Sequence, residues 1–222
     1  MISERFRASI KRLLDVILAL WACVLLSPVI VLIAIAIKLD NRGPVFFVQD
    51  RVGRSRKSFR CYKFRTMRPA DEMSNPVQVS ADDPRITRVG RLLRLWTLDE
   101  IPQLLNVLKG DMSIVGPRPW IPHQAAYYAI EANRRFAVRP GMAGWAWIHG
   151  RNRLPWEERV RLDLWYVDHW SLRLDAIILT RALILLLRRD GVYGDTRVEL
   201  PPLARAAVEG EIVHPIRARR SA

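Results

Sequence analysis

The sequence predicts a mainly α protein with a small β-hairpin, held at one face of a membrane by an N-terminal helix. Three observations carry that reading. An apolar run from Leu13 to Ile37 is long enough to enter a bilayer, and Ser27-Pro28 sits close to its middle. Two short runs, Val45 to Val48 and Phe59 to Phe64, are separated by a basic turn, as in a hairpin. The rest of the chain returns to apolar residues at helical spacing around 92–95, 104–108 and 174–187.

Composition bounds the answer. The 222 residues suffice for one or two domains, and half of them are hydrophobic. A formal net charge of +14 implies an anionic partner: nucleic acid, an anionic membrane surface or a phosphorylated substrate. Charge alone does not choose among them. Cys23 and Cys61 lack metal-ligand spacing and do not form a disulfide framework, which fits a reducing cytosol.

The apolar run is about 25 residues, or roughly 38 Å as a helix, against roughly 30 Å of hydrocarbon. Pro28 removes a backbone hydrogen bond near its centre and Ser27 is placed to cap a broken end, so a kink or reversal is expected. Arg5, Arg7, Lys11 and Arg12 precede the run, and Lys38, Arg42, Arg51, Arg54, Arg56 and Lys57 follow it. Basic flanks mark the cytoplasmic side, so two of them favour a helix that enters and leaves from the cytoplasm. A plain transmembrane helix is the alternative. A signal peptide fits less well, because the run exceeds the usual apolar core of one.

After Asp40 the composition turns to glycine, proline and arginine, which places a domain boundary near residue 38. Arg54, Arg56 and Lys57 read as a solvated face on acidic lipid. Lys63 and Arg65 flank Phe64 and so share a strand face suited to gripping a diphosphate. From residue 67 to Pro84 the chain reads as a loop, a candidate cover. The segment from Asp83 to Trp96 then returns to a helix in which leucines alternate with arginines, suited to lying flat on a membrane.

The densest chemistry lies between Thr97 and Pro119. Asp99 and Glu100 are adjacent carboxylates at or near the start of a helix that carries Leu104, Leu105, Val107 and Leu108 and stops at Gly110. Unpaired N–H groups at such a start keep carboxylates ionised and attract phosphate. A capping box from Thr97 to Glu100 is an equally good account of Glu100, with Pro102 in the first turn and the register open. Arg118, between Pro117 and Pro119, is a guanidinium in a fixed turn, suited to a phosphate.

Further on, a helix is expected around Ala125 to Phe136, with His123 on the surface. Arg139 to Asn152 reads as a packed aromatic turn. Tyr166 and Trp170 suit a bilayer interface, Leu174 to Leu187 forms an interfacial or core helix, and residues 195–222 form a basic, flexible tail.

The stretch from Leu98 to Pro119 resembles the central motif of the bacterial sugar transferases, the small monotopic phosphoglycosyl transferases that load a sugar phosphate onto a polyprenyl phosphate. The segments RVG (51–53), YKFRTM (62–67), RPG (139–141), GRN (150–152) and 161–171 are similar as well, so the resemblance runs from Lys11 to about Gly191. It implies a monotopic protein whose N-terminal re-entrant helix breaks at Ser27 and Pro28, with interfacial amphipathic helices around a cytosolic active site in residues 39–194. The small form of the family is expected. It implies Asp99 as nucleophile, Glu100 as its catalytic partner orienting a metal or relaying a proton, and Lys63, Arg65, Arg94, Arg118 and Arg151 as phosphate ligands. Mg²⁺ or Mn²⁺ on Asp99 is the expected cofactor. The implied reaction moves a phosphosugar from a nucleotide sugar, a UDP-sugar being the expected donor, to a polyprenyl phosphate at the cytoplasmic face of the bacterial inner membrane. It is ping-pong, releases UMP and begins a surface glycan. No nucleic-acid partner is expected, and a homodimer is left open.

Ala143, Trp147 and His149 stand where the family usually has Thr, Gln and Asn, so sugar preference does not transfer. Two other classes fit the residues less well. Adjacent carboxylates suit a glycosidase poorly, because its pair must flank a bond at about 5 to 9.5 Å. A non-enzymatic basic scaffold or nucleic-acid binder explains the charge but not an acidic pair set among arginines.

Overall fold

The computed structural model describes residues 4–68, 83–127 and 132–188. The anticipated cover loop lies almost wholly, and the tail from residue 195 wholly, outside the described residues. Helices are α1 (Glu4–Asp40), α2 (Arg88–Leu95), α3 (Gln103–Lys109), α4 (Pro122–Tyr127), α5 (Trp145–Ile148), α6 (Trp156–His169) and α7 (Leu172–Arg188). Strands are β1 (Phe46–Val52), β2 (Ser58–Phe64), β3 (Ser113–Val115) and β4 (Gly141–Ala143). The expected mainly α class with a small hairpin is what is found.

α1 is a single helix with Pro28 inside it. The helix spans the expected break at Ser27 and Pro28, with a local hydrogen bond at the proline. Pro28 has no N–H to offer the carbonyl of Val24, four residues back, and Ser27 Oγ donates to that oxygen instead, at 2.8 Å. The helix therefore passes the proline without stranding an acceptor. Only 11% of its most apolar 18-residue window is buried, and Trp21, Val24, Leu25 and Leu32 are exposed. A core helix of a water-soluble fold would hide these side chains; lipid is the solvent that suits them.

Polar bonds tie α1 to the body at both ends. Near its start, Lys11 Nζ lies 2.6 Å from Asp175 Oδ2, and Asp15 Oδ1 accepts the N–H of Ile114 at 3.0 Å. Arg12 donates to the carbonyls of Val107 and Leu108 at 2.6 and 3.0 Å, satisfying acceptors at the C-terminal end of α3. Near its finish, Asp40 Oδ2 accepts the N–H of Val89 in the first turn of α2 at 3.0 Å.

β1 and β2 pair antiparallel from Phe46↔Phe64 to Val52↔Ser58. Asn106, fully buried in α3, docks on the outer edge of β2. Its Oδ1 accepts the N–H of Tyr62 at 3.0 Å and its Nδ2 donates to Arg60 O at 2.7 Å. One amide thereby takes the place of a third strand. A core of Phe59, Cys61, Phe64, Leu93, Leu104, Val107 and Met112 fills the space between hairpin, α2, α3 and the inner face of α1. Arg56, exposed at the hairpin turn, also bonds within the fold: its Nε donates to Asn133 Oδ1 at 3.0 Å and its guanidinium lies over Phe136.

β3 and β4 run parallel, Ser113 beside Gly141 and Val115 beside Ala143. A Cβ on Gly141 would meet the backbone N of Gly116 at 2.0 Å, so the strands approach only because both residues lack one. Of the helix expected around Ala125 to Phe136, residues 128–131 lie outside the described residues; α4 covers the start, and Asn133–Ala137 is a 3₁₀ segment. Tyr166, expected at an interface, is a core residue whose hydroxyl donates to Asp175 Oδ1 at 2.7 Å. α7 buries Leu174, Ile178 and Ala182 and exposes Leu183, Ile184 and Leu187, which agrees with the interfacial or core helix expected there.

Replacing Asn106 with Ala strands a buried N–H and a carbonyl on β2, and the expected cost is about 3 kcal/mol, read from the denaturation midpoint of detergent-solubilised protein. A loss below about 1 kcal/mol would show that solvent or the chain satisfies that edge without Asn106.

Candidate active site

Asp99 and Glu100 sit in a 3₁₀ turn, Leu98–Glu100, which passes through Ile101 and Pro102 into α3. The turn begins at Thr97, a β-branched residue held at φ +57°, in the left-handed region. Thr97 does not form the alternative capping box, since its side chain makes no capping bond. Thr97 Oγ1 accepts instead from Arg151 Nη2 at 3.0 Å, and Arg151 also stands at positive φ, +52°. Two strained residues bonded to each other fix the entry to the acidic turn, a pattern that gathers at functional sites.

The adjacent carboxylates point to different surroundings. Glu100 is buried, and its Oε1 accepts from Lys63 Nζ at 2.7 Å and from Arg118 Nη2 at 2.8 Å, with Arg118 Nη1 at 3.4 Å from Oε2. Asp99 is half-buried, and its carboxylate takes no hydrogen bond among the described residues. Burial pushes the Asp99 carboxyl above the ordinary range, Lys63 opposes it, the charge of Glu100 adds to it, and Arg94 and Arg118 oppose it. Burial would raise Glu100 too, but Arg118 and Lys63 outweigh it and hold that carboxyl far below the usual range. A carboxylate so held does not relay protons near neutral pH; it fixes two cations beside Asp99.

Of the cations expected at the site, Lys63 and Arg118 are brought to the acidic pair. Arg94, in the last turn of α2, donates from Nε to Thr66 Oγ1 at 2.9 Å and lowers the Asp99 pKa through its charge. Arg151 reaches the entry of the turn, stacked over Trp147 with 3.9 Å from Cζ to the ring centroid. The unusual Trp147 thus supports that guanidinium, while His149 stacks on Trp145. Arg65 is a correction. It is buried one residue beyond β2 and donates to Asn41 O at 2.7 Å and Arg42 O at 3.2 Å, so it ties down the chain leaving α1.

Sequence reasoning missed Arg51 and Gln103, which line a small cavity with Cys61, Lys63, Arg118 and Pro119. The period-2 register placing Arg51, Cys61 and Lys63 on one face was a usable signal, once the hairpin pairing was fixed. Burial, with the charge of Arg118, lowers the Arg51 pKa to about 10.

The donor set bears on the expected metal. No cluster of three or more His, Cys, Asp or Glu exists among the described residues, so no all-protein cage is offered. Mg²⁺ is ordinarily held by one or two carboxylates together with substrate phosphates, and the unbonded carboxylate of Asp99 fits that mode.

Glu100→Gln removes the charge that two cations share, and about 2 kcal/mol of stability is expected to go with it at pH 7. Because the Glu100 pKa is lowered on folding, its contribution is full above the unfolded value of about 4.3 and fades as pH falls towards the folded one. The unfolding curves of wild type and Glu100→Gln are therefore expected to converge below about pH 4. A gap that widened on acidification would contradict the assignment.

Comparison with known proteins bears on the same residues. The sequence profile described as bacterial sugar transferase matches residues 6–189. The chain is 43% identical over 189 residues to the uncharacterized sugar transferase EpsL of Bacillus subtilis, covering 85% of this chain and 93% of that one. It is 40% identical to the UDP-glucose:undecaprenyl-phosphate glucose-1-phosphate transferase of Caulobacter vibrioides, covering 82% and 72%. It is 37% identical to the undecaprenyl-phosphate galactose phosphotransferase of Salmonella typhimurium, covering 86% of this chain but only 43% of that longer protein. With the match spanning α1, the acidic turn and α7, this chain belongs to the bacterial sugar transferase family and is a transferase.

Proposed function

We propose that the protein transfers a phosphosugar from a UDP-sugar to a polyprenyl phosphate by a ping-pong route through Asp99. Relatives named as undecaprenyl-phosphate sugar-phosphate transferases support the general reaction. The observation that carries the route is the division of labour in the acidic turn: Glu100 is bonded to Lys63 and Arg118, whereas Asp99 is unbonded and set among cations.

An Asp99 oxygen attacks the sugar-linked phosphorus; the bond from that phosphorus to the oxygen bridging the two phosphates breaks; and UMP leaves with the electron pair. Lys63, Arg94 and Arg118 offset charge on the transferring and leaving groups. The Asp99 carboxylate would hold Mg²⁺ or Mn²⁺, which would supply further positive charge to the diphosphate. A lipid phosphate oxygen then attacks the same phosphorus, and the Asp99 oxygen departs as carboxylate. Arg151 orients the turn through Thr97.

The re-entrant membrane topology belongs to the same proposal. A helix of 37 residues is about 55 Å long if straight. Asp15, about a third of the way along, and Asp40, at its end, lie roughly 38 Å apart on a straight helix, yet both accept N–H groups of the same body, at Ile114 and Val89. A single body outside the bilayer meets both of these points if α1 bends at Ser27-Pro28 in the bilayer, so that its exposed middle dips in and returns with its basic flanks at the cytoplasmic face.

Enzyme given UDP-sugar and Mg²⁺ without lipid is expected to gain the mass of one sugar phosphate and release UMP, and Asp99→Asn is expected to abolish both. The acid limb of that half-reaction should lie above the ordinary aspartate value of about 3.9, because Asp99 must be ionised to attack and its pKa is raised. UMP appearing only when lipid phosphate is present would replace the covalent route with direct displacement.

Topology is tested separately, with cysteine or epitope tags before Glu4 and after Arg188. Both are expected to resist membrane-impermeant reagents added outside intact cells. External labelling of the N-terminal tag would make α1 a crossing helix.

A further inference from the structure

Arg118 stands in a turn that has few donors of its own. Pro117 and Pro119 on either side lack an N–H, so the turn is held through its carbonyls. Four consecutive carbonyls each accept a hydrogen bond from a different residue. Pro117 O accepts from the N–H of Gly141 at 2.9 Å, and Trp120 O from the N–H of Val52 at 2.8 Å. Between them, Arg118 O accepts from Arg135 Nη2 at 2.6 Å and Pro119 O from Arg51 Nη1 at 2.8 Å. The two inner bonds come from guanidinium groups of buried Arg135 and half-buried Arg51, a costly way to hold neutral oxygens unless their placement matters.

Each guanidinium is itself fixed. Arg135 is 3% exposed, and its Nε and Nη2 lie 3.0 and 2.6 Å from Oδ2 of Asp163, equally buried on α6. Its Cζ lies 3.9 Å from the centroid of Trp120. Arg51 donates its second amino group to Gln49 Oε1 at 2.6 Å. Neither is hydrogen-bonded to Asp99 or Glu100 among the described residues; both meet the backbone that carries Arg118.

We propose that Arg135, anchored by Asp163, and Arg51 are positioning residues that aim the Arg118 guanidinium at a substrate phosphate by holding the carbonyls of residues 118 and 119. The inference rests on the reading of Arg118 as a phosphate ligand. A planar fork is required because one guanidinium must serve Asp163 and a carbonyl at once; an ammonium keeps the charge but lacks that geometry.

The test is a double-mutant cycle on UDP binding, run alongside thermal unfolding. Arg135→Lys is expected to weaken the UDP Kd by about tenfold, since small misplacement of a positioning group has effects of this order or larger. In an Arg118→Ala background the same change is expected to shift the Kd by less than about twofold, because its effect passes through Arg118. The effects on Tm, by contrast, should add. Should Arg135→Lys not fold, Asp163→Asn, which leaves Arg135 in place without its anchor, is put through the same cycle. Equal losses of UDP affinity with and without Arg118 would overturn the proposal, as would wild-type protein that does not bind UDP. Wild-type protein that binds UDP but never turns over would sink the reaction proposed above, while the cycle would still decide the role of Arg135.

Discussion

The buried carboxylate of Glu100 is the interaction on which the site depends. It is a single negative charge within hydrogen-bond distance of two cations from separate parts of the chain, Lys63 on the hairpin and Arg118 in the proline turn. Without it, two positive groups would face each other with no anion between them. With it, the neighbouring Asp99 is left unbonded in a positive field. Two chemically similar residues, adjacent in sequence, so acquire opposite environments, the arrangement by which paired carboxylates take different roles.

The scaffold serves this arrangement by bringing remote segments to one place. The hairpin presents Lys63 because Asn106 holds its outer edge against α3, and α3 is also the helix that the acidic turn leads into. α1 is bonded to the end of α3 by Arg12 and to the start of β3 by Asp15. The membrane helix and the acidic turn therefore share one rigid support.

Much of this was legible in the sequence where the signal is local. The hairpin followed from two β-prone runs around a basic turn, the end of α3 from Gly110, now seen at φ +92°, and the fixed Arg118 from its flanking prolines. What failed was the pairing of polar groups across long separations. Arg65 looked like a phosphate ligand because it is two residues from Lys63, yet it satisfies carbonyls at residues 41 and 42. Arg56 gave no sign of its bond to a residue 77 positions away. Arg51, Asn106, Arg135 and Asp163 are of types usually exposed and carry no local signal of a structural role, so only the tertiary structure shows which partner each one meets. At Ser27-Pro28 the sequence correctly flagged a missing donor, but not that the serine hydroxyl would supply one without breaking the helix.

The division of labour between Asp99 and Glu100 is tested most directly by following both carboxyl carbons through a pH titration by ¹³C NMR in detergent-solubilised protein. The account predicts that Glu100 stays ionised below the ordinary carboxylate range while Asp99 titrates above it. Glu100 taking up its proton before Asp99 as the pH falls would contradict it, since the clamped group and the free one would then have exchanged places.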